Sequence, residues 1–294
     1  MKLKRGVLLI LAVILLALVI LILTTYFFKE GFENESKIPN RIWTYWDGEI
    51  PPFVQKCIES WHKYNPKYHI VVLNKQNLSR YLPDGMNISE LKHANESSAR
   101  FSDFVRLLVV PRYGGIWMDA SIICQHSLDW VHNIHKETGC EFVGYYRDDF
   151  TTIPEHQVVE SWFFACVPES KFVQDWRDEF LKINNYDSVD DYVNDLERNG
   201  IQMQNVPEER LNYLAVYLSA QAIMQKNGDQ YKLQLIKSDD SALKHWIDRG
   251  FHSDLAAQDL VKKNSEHRDQ PLIKIVGVVR DELLNFGSDW NILF

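Results

Sequence analysis

The pattern of apolar and polar positions divides the chain into two parts. From Gly6 to Phe28 no position carries a charge, and a helix of that length, at about 1.5 Å per residue, spans roughly 30 Å of hydrocarbon. This run predicts a membrane-spanning helix over residues 6–28, followed by a short polar stem over 29–37 and a folded domain over 38–294. A cleaved signal peptide is the competing interpretation, but the apolar run is longer than the usual signal-peptide core.

Strand-like and helix-like patterns alternate in the folded part. Short apolar runs predict strands at RIWTYW, HIVVLN, GIWM, EFVGYY, SWFFACV and YKLQLI. Apolar residues at helical spacing predict helices from Pro51 or Pro52 to Asn65, from Ser97 or Ser98 to Pro111, and over SKFVQDWRDEFLKI and ERLNYLAVYLSAQAIMQKNG. The alternation indicates an α/β layer architecture.

The charges around the apolar run predict how the chain is oriented. Basic residues precede the run, at Lys2, Lys4 and Arg5, whereas Lys29, Glu30 and Glu33 follow it. The positive-inside rule then places residues 1–5 in the cytoplasm as a short tail and the folded domain on the other side of the membrane.

Four N-x-S sequons support that topology, because such sites accept glycans only in a secretory lumen. They begin at Asn34, Asn77, Asn87 and Asn95. The simpler alternative is that Asn and Ser only mark loops. Together with the charge pattern, the sequons predict a single-pass type II protein of the Golgi membrane with a lumenal domain; a bacterial membrane protein is the alternative.

The net charge limits which ligands the chain can bind, and the cysteine positions limit what roles the cysteines can have. The net charge is −8 and no basic stripe is present, which argues against nucleic acid as a ligand. None of the four cysteines has the spacing of metal ligands, and in an oxidising lumen any of three full disulfide pairings is open. Their apolar surroundings favour buried structural roles for Cys57, Cys124, Cys140 and Cys166.

Candidate chemistry concentrates around one helix and the strand that follows it. Asp103 and Arg106 lie three positions apart, so both project from one face of the predicted helix. Apolar residues surround them, and burying such a pair is costly unless other polar groups, such as a sugar or a phosphate, compensate. Gly114 and Gly115 then permit a left-handed turn. The next strand delivers Asp119 at its carboxyl end, where α/β sheets bind ligands.

The run ARFSDFVRLLVVPRYGGIWMDASI resembles a pattern of sugar transferases with the GT-A fold: S-D-x-x-R, an apolar stretch, then G-G-[IM]-[YW]-[LM]-D-x-[DST]. It is similar to glycosyltransferase family 32 and more closely to the capsular polysaccharide synthesis protein family. The segments KIPNRIWTYWDG and VVESWFFACVPESKFVQDW extend this resemblance over most of residues 38–225.

The resemblance implies a GT-A-like nucleotide-sugar-binding fold with a mixed central sheet flanked by helices. It also implies transfer of a sugar from a nucleotide-sugar donor to a glycan or glycoconjugate acceptor, with retention of configuration. Asp119 matches the first aspartate of the D-x-D motif, which contacts the donor ribose or its metal. Asp103 and Arg106 match residues that hold the donor sugar and its phosphates, and Gly114 and Gly115 belong to the same donor-binding motif.

Further positions follow from the same resemblance. Trp46 matches an aromatic residue near the base, although a core role is the alternative. Ser121 stands where the second carboxylate of D-x-D is expected, which weakens a site for Mn²⁺ or Mg²⁺ at Asp119 because these ions prefer charged oxygen ligands. Ser288 and Trp290 are similar to a donor-closing S-x-W element, with C-terminal packing as the alternative.

Acidic residues in or before the E-S-W-F segment could contact the acceptor, and Glu160 is the preferred catalytic candidate because it would enter a buried strand. The RDDF segment is simpler to interpret as a solvated loop; the other acidic residues are Asp148, Asp149 and Glu155. Because the second D-x-D carboxylate is missing, a catalytically inactive GT-A-like domain that binds carbohydrate or a partner protein remains the alternative function. A membrane-tethered structural protein is a third, weaker idea.

Overall fold

The computed structural model describes residues 37–294. The predicted cytoplasmic tail (1–5), membrane helix (6–28) and all but the last residue of the stem (29–37) lie outside the described residues, as does Asn34. Within 37–294, no helix combines the length and the apolar character needed to cross a membrane.

A mixed six-stranded sheet forms the centre of the folded part. The strands are β1 (Arg41–Tyr45), β2 (His69–Leu73), β3 (Gly115–Met118), β4 (Ile122–Cys124), β5 (Phe142–Arg147), β6 (Val158–Cys166), β7 (Leu233–Lys237) and β8 (Leu272–Lys274). The large sheet has the order β2-β1-β3-β6-β5-β7, in which β6 runs antiparallel to both of its neighbours. Strands β4 and β8 pair separately as a small antiparallel sheet.

Nine α-helices accompany the strands within the described residues. They are α1 (Pro52–Tyr64), α2 (Ser98–Tyr113), α3 (Asp129–Thr138), α4 (Lys171–Leu181), α5 (Val189–Arg198), α6 (Ala215–Asn227), α7 (Lys244–Ile247), α8 (Ser253–Leu260) and α9 (Gly277–Leu284). The prediction of an α/β fold with a mixed central sheet flanked by helices is confirmed.

Alternate residues of the central strands pack into two separate apolar cores. Trp43 of β1 and Trp117 of β3 belong to the core that includes α2, whereas their neighbours Ile42 and Met118 belong to the core that includes α1. Successive strand residues point to opposite faces of a sheet. Both faces of β1 and β3 are therefore covered, and the residues just beyond these strands are the ones that can meet a ligand.

The strand ends bring the candidate residues to one edge of the sheet. Strands β1 and β3 run parallel, so Trp46 and Asp119, which follow their last residues, lie at the same edge. The backbone N–H of Asp119 donates to the carbonyl of Trp162 at 2.9 Å. This bond ties the end of β3 to the beginning of β6, where Glu160 and Ser161 lie.

Helix boundaries differ from the predictions in two places. Pro111 lies inside the last turn of α2 rather than ending it, and Gly114 forms the C-cap with φ +63°. The predicted helix over ERLNYLAVYLS begins only at Ala215. Before it, the carbonyl of Asn212 accepts a 2.6 Å hydrogen bond from the guanidinium of Arg100, which holds this segment outside the helical ladder.

Strands β4 and β8 were not predicted, because each contains only three residues. All four cysteines are buried as free thiols, which agrees with the structural role favoured for them.

Candidate functional site

A cavity of about 540 Å³ opens at the sheet edge where β1 and β3 end. Its lining combines aromatic and charged side chains from distant parts of the sequence. They include Trp46, Asp103, Arg106, Asp119, Ser121, Arg147, Glu160, Arg210, Tyr213, Tyr217, Lys274 and Arg280. Five of the predicted site residues, Trp46, Asp103, Arg106, Asp119 and Glu160, thus face one cavity together with Ser121.

Asp119 is the centre of an ion-pair network in this cavity. Its Oδ2 accepts a hydrogen bond from Lys274 Nζ at 2.6 Å, and its Oδ1 accepts one from Trp117 Nε1 at 3.0 Å. Arg106 Nη2 lies 3.4 Å from the same Oδ1. Burial alone raises the pKa of Asp119, but the charges of Lys274 and Arg106 outweigh burial and hold that pKa below its usual value. Asp119 is therefore a fixed negative charge.

Four of the five N–H donors of Arg106 make hydrogen bonds within the protein, and the fifth, on Nη2, faces two carboxylates. Nη1 donates to the carbonyl oxygen of Ser161 at 2.7 Å and to its Oγ at 2.6 Å, and Nε donates to the carbonyl of Ser102 at 3.3 Å. Nη2 contacts Ser102 Oγ, Asp103 Oδ1 and Asp119 Oδ1 at 3.2, 3.3 and 3.4 Å. A guanidinium has only five such donors. Arg106 thus joins α2, β3 and β6, and a phosphate at the position predicted for it would compete with the carboxylates of Asp103 and Asp119 for the guanidinium.

Asp103 is the most readily protonated member of the network. Burial raises its pKa to about 6, although the charges of Arg106 and Arg100 oppose this shift. Near neutral pH the network contains two carboxylates and two cations: Arg106 contacts both Asp103 and Asp119, and Lys274 contacts Asp119. Protonation of Asp103 below about pH 6 leaves one excess positive charge.

Glu160 forms a second charged centre in the same cavity. Its Oε2 accepts a 2.7 Å hydrogen bond from the Tyr217 hydroxyl, and its Oε1 lies 3.9 Å from Arg147 Nε. Burial raises the pKa of Glu160 to about 6, against the lowering effect of Arg147. A carboxyl group with such a pKa changes its charge near physiological pH, as general acids and bases do.

Trp46 and Ser121 complete the predicted part of the lining. Trp46 is half-buried, and its indole N–H donates to the carbonyl of Glu49 at 3.0 Å, so its position after β1 is fixed. The Ser121 hydroxyl donates to the carbonyl of Ile275 at 2.8 Å, and the N–H of Ile275 donates back to the carbonyl of Ser121 at 3.1 Å. This reciprocal pair extends the pairing of β4 with β8 and holds the end of β8 against the start of β4.

The structure does not place the two glycines at the cavity. Gly115 has φ +106°, and a Cβ on it would lie 2.7 Å from the Arg41 carbonyl oxygen. A Cβ on Gly114 would lie 2.6 Å from the backbone nitrogen of Pro168. Close packing of β3 against its neighbours therefore requires both glycines, and they position Asp119 rather than contact a donor.

The two C-terminal candidates also lie away from the cavity. Trp290 packs edge-on against Phe53 and Phe294, with ring centroids 5.4 and 6.1 Å away. Ser288 precedes the final 3-10 turn, and its carbonyl accepts a hydrogen bond from the Asn291 side chain. The alternative of C-terminal packing describes this segment better than donor closure.

The acidic residues of the neighbouring loops lie outside the cavity lining as well. Asp149 pairs with Arg147 at 2.5 Å, exposed Asp148 pairs with Lys237 at 2.8 Å, and Glu155 is exposed. The solvated-loop interpretation of RDDF holds for Asp148, whereas Asp149 orients an arginine of the cavity.

Sequence reasoning missed the residues that come from late in the chain. Lys274 lies 155 positions beyond Asp119, and Tyr217 lies 57 positions beyond Glu160. One sequence feature could have identified Lys274: it is the only charged residue in the apolar run LIKIV. A lysine in such a run enters the interior only with a partner.

The residues around Asp119 leave few oxygen ligands free for a divalent cation. The ammonium group of Lys274 lies on Asp119 Oδ2, and the hydroxyl that replaces the second D-x-D carboxylate donates its proton to Ile275. Mg²⁺ and Mn²⁺ prefer several anionic or carbonyl oxygens around one point. Among residues 37–294, the one cluster of three potential metal ligands is Asp248, Glu266 and His267, none of which lines the cavity.

Comparison with known proteins identifies the family. The family model described as "Capsular polysaccharide synthesis protein" matches residues 21–195, more than half of the 294-residue chain. The chain belongs to this family. The resemblance found in the motif around Asp119 is therefore confirmed.

One curated relative is an O-glycosyltransferase, braB, from Annulohypoxylon truncatum, which is 26% identical over 159 residues. The match covers 48% of this chain and 37% of that relative, so the chain spans well under half the length of the protein it resembles.

Solved structures that the chain resembles include two glycosyltransferases. The PaToxG glycosyltransferase is 12% identical, with coverage of 91% of this chain and 94% of that chain and a TM-score of 0.42. The galactosyltransferase LgtC, solved with donor and acceptor sugar analogues, is 9% identical, with coverage of 67% and 73% and a TM-score of 0.34.

Proposed function

We propose that this member of the capsular polysaccharide synthesis protein family is a glycosyltransferase with a GT-A-like fold. It transfers a sugar from a nucleotide-sugar donor to a glycan or glycoconjugate acceptor, with retention of configuration. Family membership and the partial similarity to an O-glycosyltransferase support this activity. Retention rests on the motif resemblance alone.

One observation carries the proposal: the strand-tip Asp119 and the acid and base of α2, Asp103 and Arg106, face the same cavity. These side chains come from elements that are adjacent in the sequence but could have pointed to different surfaces. Trp46, at the end of the neighbouring parallel strand, adds a flat apolar face to the same cavity, which suits stacking of a base or a sugar.

The charges of the cavity suit the chemistry of sugar transfer. A diphosphate leaving group gains negative charge as the glycosidic bond to the donor breaks, and fixed positive groups nearby stabilise that charge. Lys274, Arg280 and Arg210 supply positive groups to the lining. Glu160, whose pKa is about 6, is suited to orient an acceptor hydroxyl and to accept its proton.

A type II topology in the Golgi membrane, with the folded domain in the lumen, completes the proposal. It rests on the apolar run at 6–28, on the charges that flank it and on the sequons. In the folded part, Asn87 and Asn95 are exposed, as glycan acceptors must be.

A catalytically inactive carbohydrate-binding or partner-binding domain is the second candidate. The observation that favours it is the replacement of the second acidic residue by Ser121, together with the lysine on the remaining carboxylate. Both candidates bind a ligand in the same cavity, so only turnover separates them.

Donor turnover is the test. The purified full-length chain is incubated with a panel of UDP- and GDP-sugars, with and without acceptor glycans, and release of the free nucleoside diphosphate is measured. We expect at least one donor to be consumed and to raise the melting temperature. A donor that raises the melting temperature but is not consumed would favour the binding domain, and absence of both effects across the panel would contradict the proposal.

A further inference from the structure

Lys274 occupies an unusual position for a lysine. It lies in β8, next to Ile275, which is held by two hydrogen bonds to Ser121. Its backbone N–H donates to the carbonyl of Ala242 at 3.0 Å, and only 10% of its side chain is exposed. The ammonium group lies 2.6 Å from Asp119 Oδ2 and about 6.0 Å from the centre of the Trp162 ring. The backbone therefore fixes this charge at the cavity wall.

The ammonium group keeps free donors that Arg106 lacks. Among the described residues, Asp119 Oδ2 is the one hydrogen-bond acceptor of Lys274 Nζ. Because an ammonium carries three N–H donors, two remain for a ligand. Arg106, by contrast, donates four hydrogen bonds to Ser102 and Ser161, and its fifth N–H faces the carboxylates of the two aspartates at 3.3 and 3.4 Å. An anion that enters the cavity thus finds free hydrogen-bond donors at Lys274 and not at Arg106.

The same lysine excludes a cation from the position next to Asp119. Two positive charges near one carboxylate oxygen repel each other strongly in a partly buried site. The D-x-D position two residues after Asp119 supplies no carboxylate to offset this, because it is Ser121, whose hydroxyl donates to the Ile275 carbonyl. In a D-x-D site, two carboxylates hold a divalent ion. Here one carboxylate, Asp119, holds the ammonium group of Lys274 instead.

We infer that Lys274 binds the diphosphate of the donor in this site and that donor binding by this chain needs no divalent cation. This inference rests on the proposed transferase function. Asp119 holds the ammonium group in place and lowers the cost of burying it, while the two remaining donors contact phosphate oxygens. Arg280, whose guanidinium pairs only at 3.3 Å with exposed Asp281, and Arg210 line the same cavity and can add to the positive potential.

The competing structural explanation is that Lys274 only neutralises Asp119. Under that explanation, removing the lysine changes stability and leaves nucleotide affinity at a stable temperature unchanged. If Lys274 only neutralises Asp119, nucleotide binding can still require a metal ion. If Lys274 binds the phosphates, nucleotide binding requires none. Both differences are measurable without turnover.

The experiment measures UDP and GDP binding to the purified full-length chain by calorimetry, once in excess EDTA and once with MnCl₂. For whichever nucleotide binds, we expect affinities that agree within about threefold in the two conditions. Lys274→Met keeps the length of the side chain and removes its charge, and we expect it to weaken binding in EDTA at least about tenfold, a change of ~1.4 kcal/mol. Lys274→Arg, which keeps the charge, should recover part of that loss.

Lys171→Met is the matched control, because Lys171 lies outside the cavity lining, is 54% exposed and pairs with Asp175. It should bind as the unchanged protein does. Binding that occurs only with MnCl₂ would overturn the inference and leave the transferase proposal standing. Unchanged affinity of Lys274→Met in EDTA would also overturn it. Failure of both nucleotides to bind in either condition would overturn the inference and the proposed function together. The EDTA comparison needs no variant, so it stands even if Lys274→Met does not fold.

Discussion

Replacing Arg106 by alanine tests the charge network most severely. Arg106 is 5% exposed and contacts two carboxylates, Asp103 and Asp119, at 3.3 and 3.4 Å. Its removal leaves Asp103, 6% exposed, without its nearest counter-charge. Breaking a buried ion pair from one side costs about 3–5 kcal/mol. For a domain of this size, a loss of that order lowers the melting temperature by roughly 10 °C.

The loss should depend on pH in a defined direction. The pKa of Asp103 is raised to about 6 in the folded chain, so between about pH 4 and 6 the folded state binds more protons than the unfolded state. Asp103 therefore reduces stability as the pH rises through this window. Without Arg106 the pKa of Asp103 rises further, and the window extends upward. The deficit of Arg106→Ala should be largest near pH 8 and should shrink toward pH 5.

Urea unfolding followed by tryptophan fluorescence, at pH 5 and pH 8, measures both effects. Arg198→Ala is the control, because Arg198 is 72% exposed and its ion pair with Asp195 lies at the surface; its cost should stay below about 1 kcal/mol. A deficit of Arg106→Ala below about 1 kcal/mol, or one that is equal at both pH values, would refute the network described here.

Two further predictions concern the cavity and the surface. The pKa of Glu160 is about 6, so we expect kcat/KM to rise with pH near 6 as this carboxyl ionises. Glu160→Gln should flatten that rise. A rise that persists unchanged in the variant would show that Glu160 takes no part in the reaction. After expression in a eukaryotic secretory host, peptide mapping should find a higher glycan occupancy at the exposed Asn87 and Asn95 than at Asn77. Asn77 is half-buried, and its side-chain amide nitrogen donates to the Val72 carbonyl at 2.9 Å. Preferential modification of Asn77 would contradict this order.

Much of the fold could be predicted because its strands are apolar runs that lie close to helices in the sequence. The residues that set the geometry of the motif around Asp119 lie close to it in the sequence. Ser97 caps α2 by accepting a hydrogen bond from the N–H of Arg100, and two glycines turn the chain into β3. Local chemistry therefore sufficed to bring Asp103, Arg106 and Asp119 together.

The remaining part of the site depends on contacts over long sequence separations. Lys274 reaches Asp119 only because β8 pairs with β4, and strands of three residues leave no periodic pattern. The phosphate-binding role predicted for Arg106 could not be assessed from sequence, because it depends on how many of the arginine's N–H donors are already bonded to Ser102 and Ser161. For Ser288 and Trp290, a short motif match gave no information on distance from the cavity.

Nucleoside diphosphate release by Asp119→Asn tests the central claim most directly. The variant keeps the side-chain shape and removes the charge that organises Lys274 and Arg106, and it is compared with Asp178→Asn, in which Asp178 is 62% exposed at the surface. Both are assayed below their melting temperatures with a donor that the unchanged chain consumes. The account predicts a rate at least about 100-fold lower for Asp119→Asn and an unchanged rate for Asp178→Asn. A rate for Asp119→Asn within about threefold of the unchanged chain would contradict it.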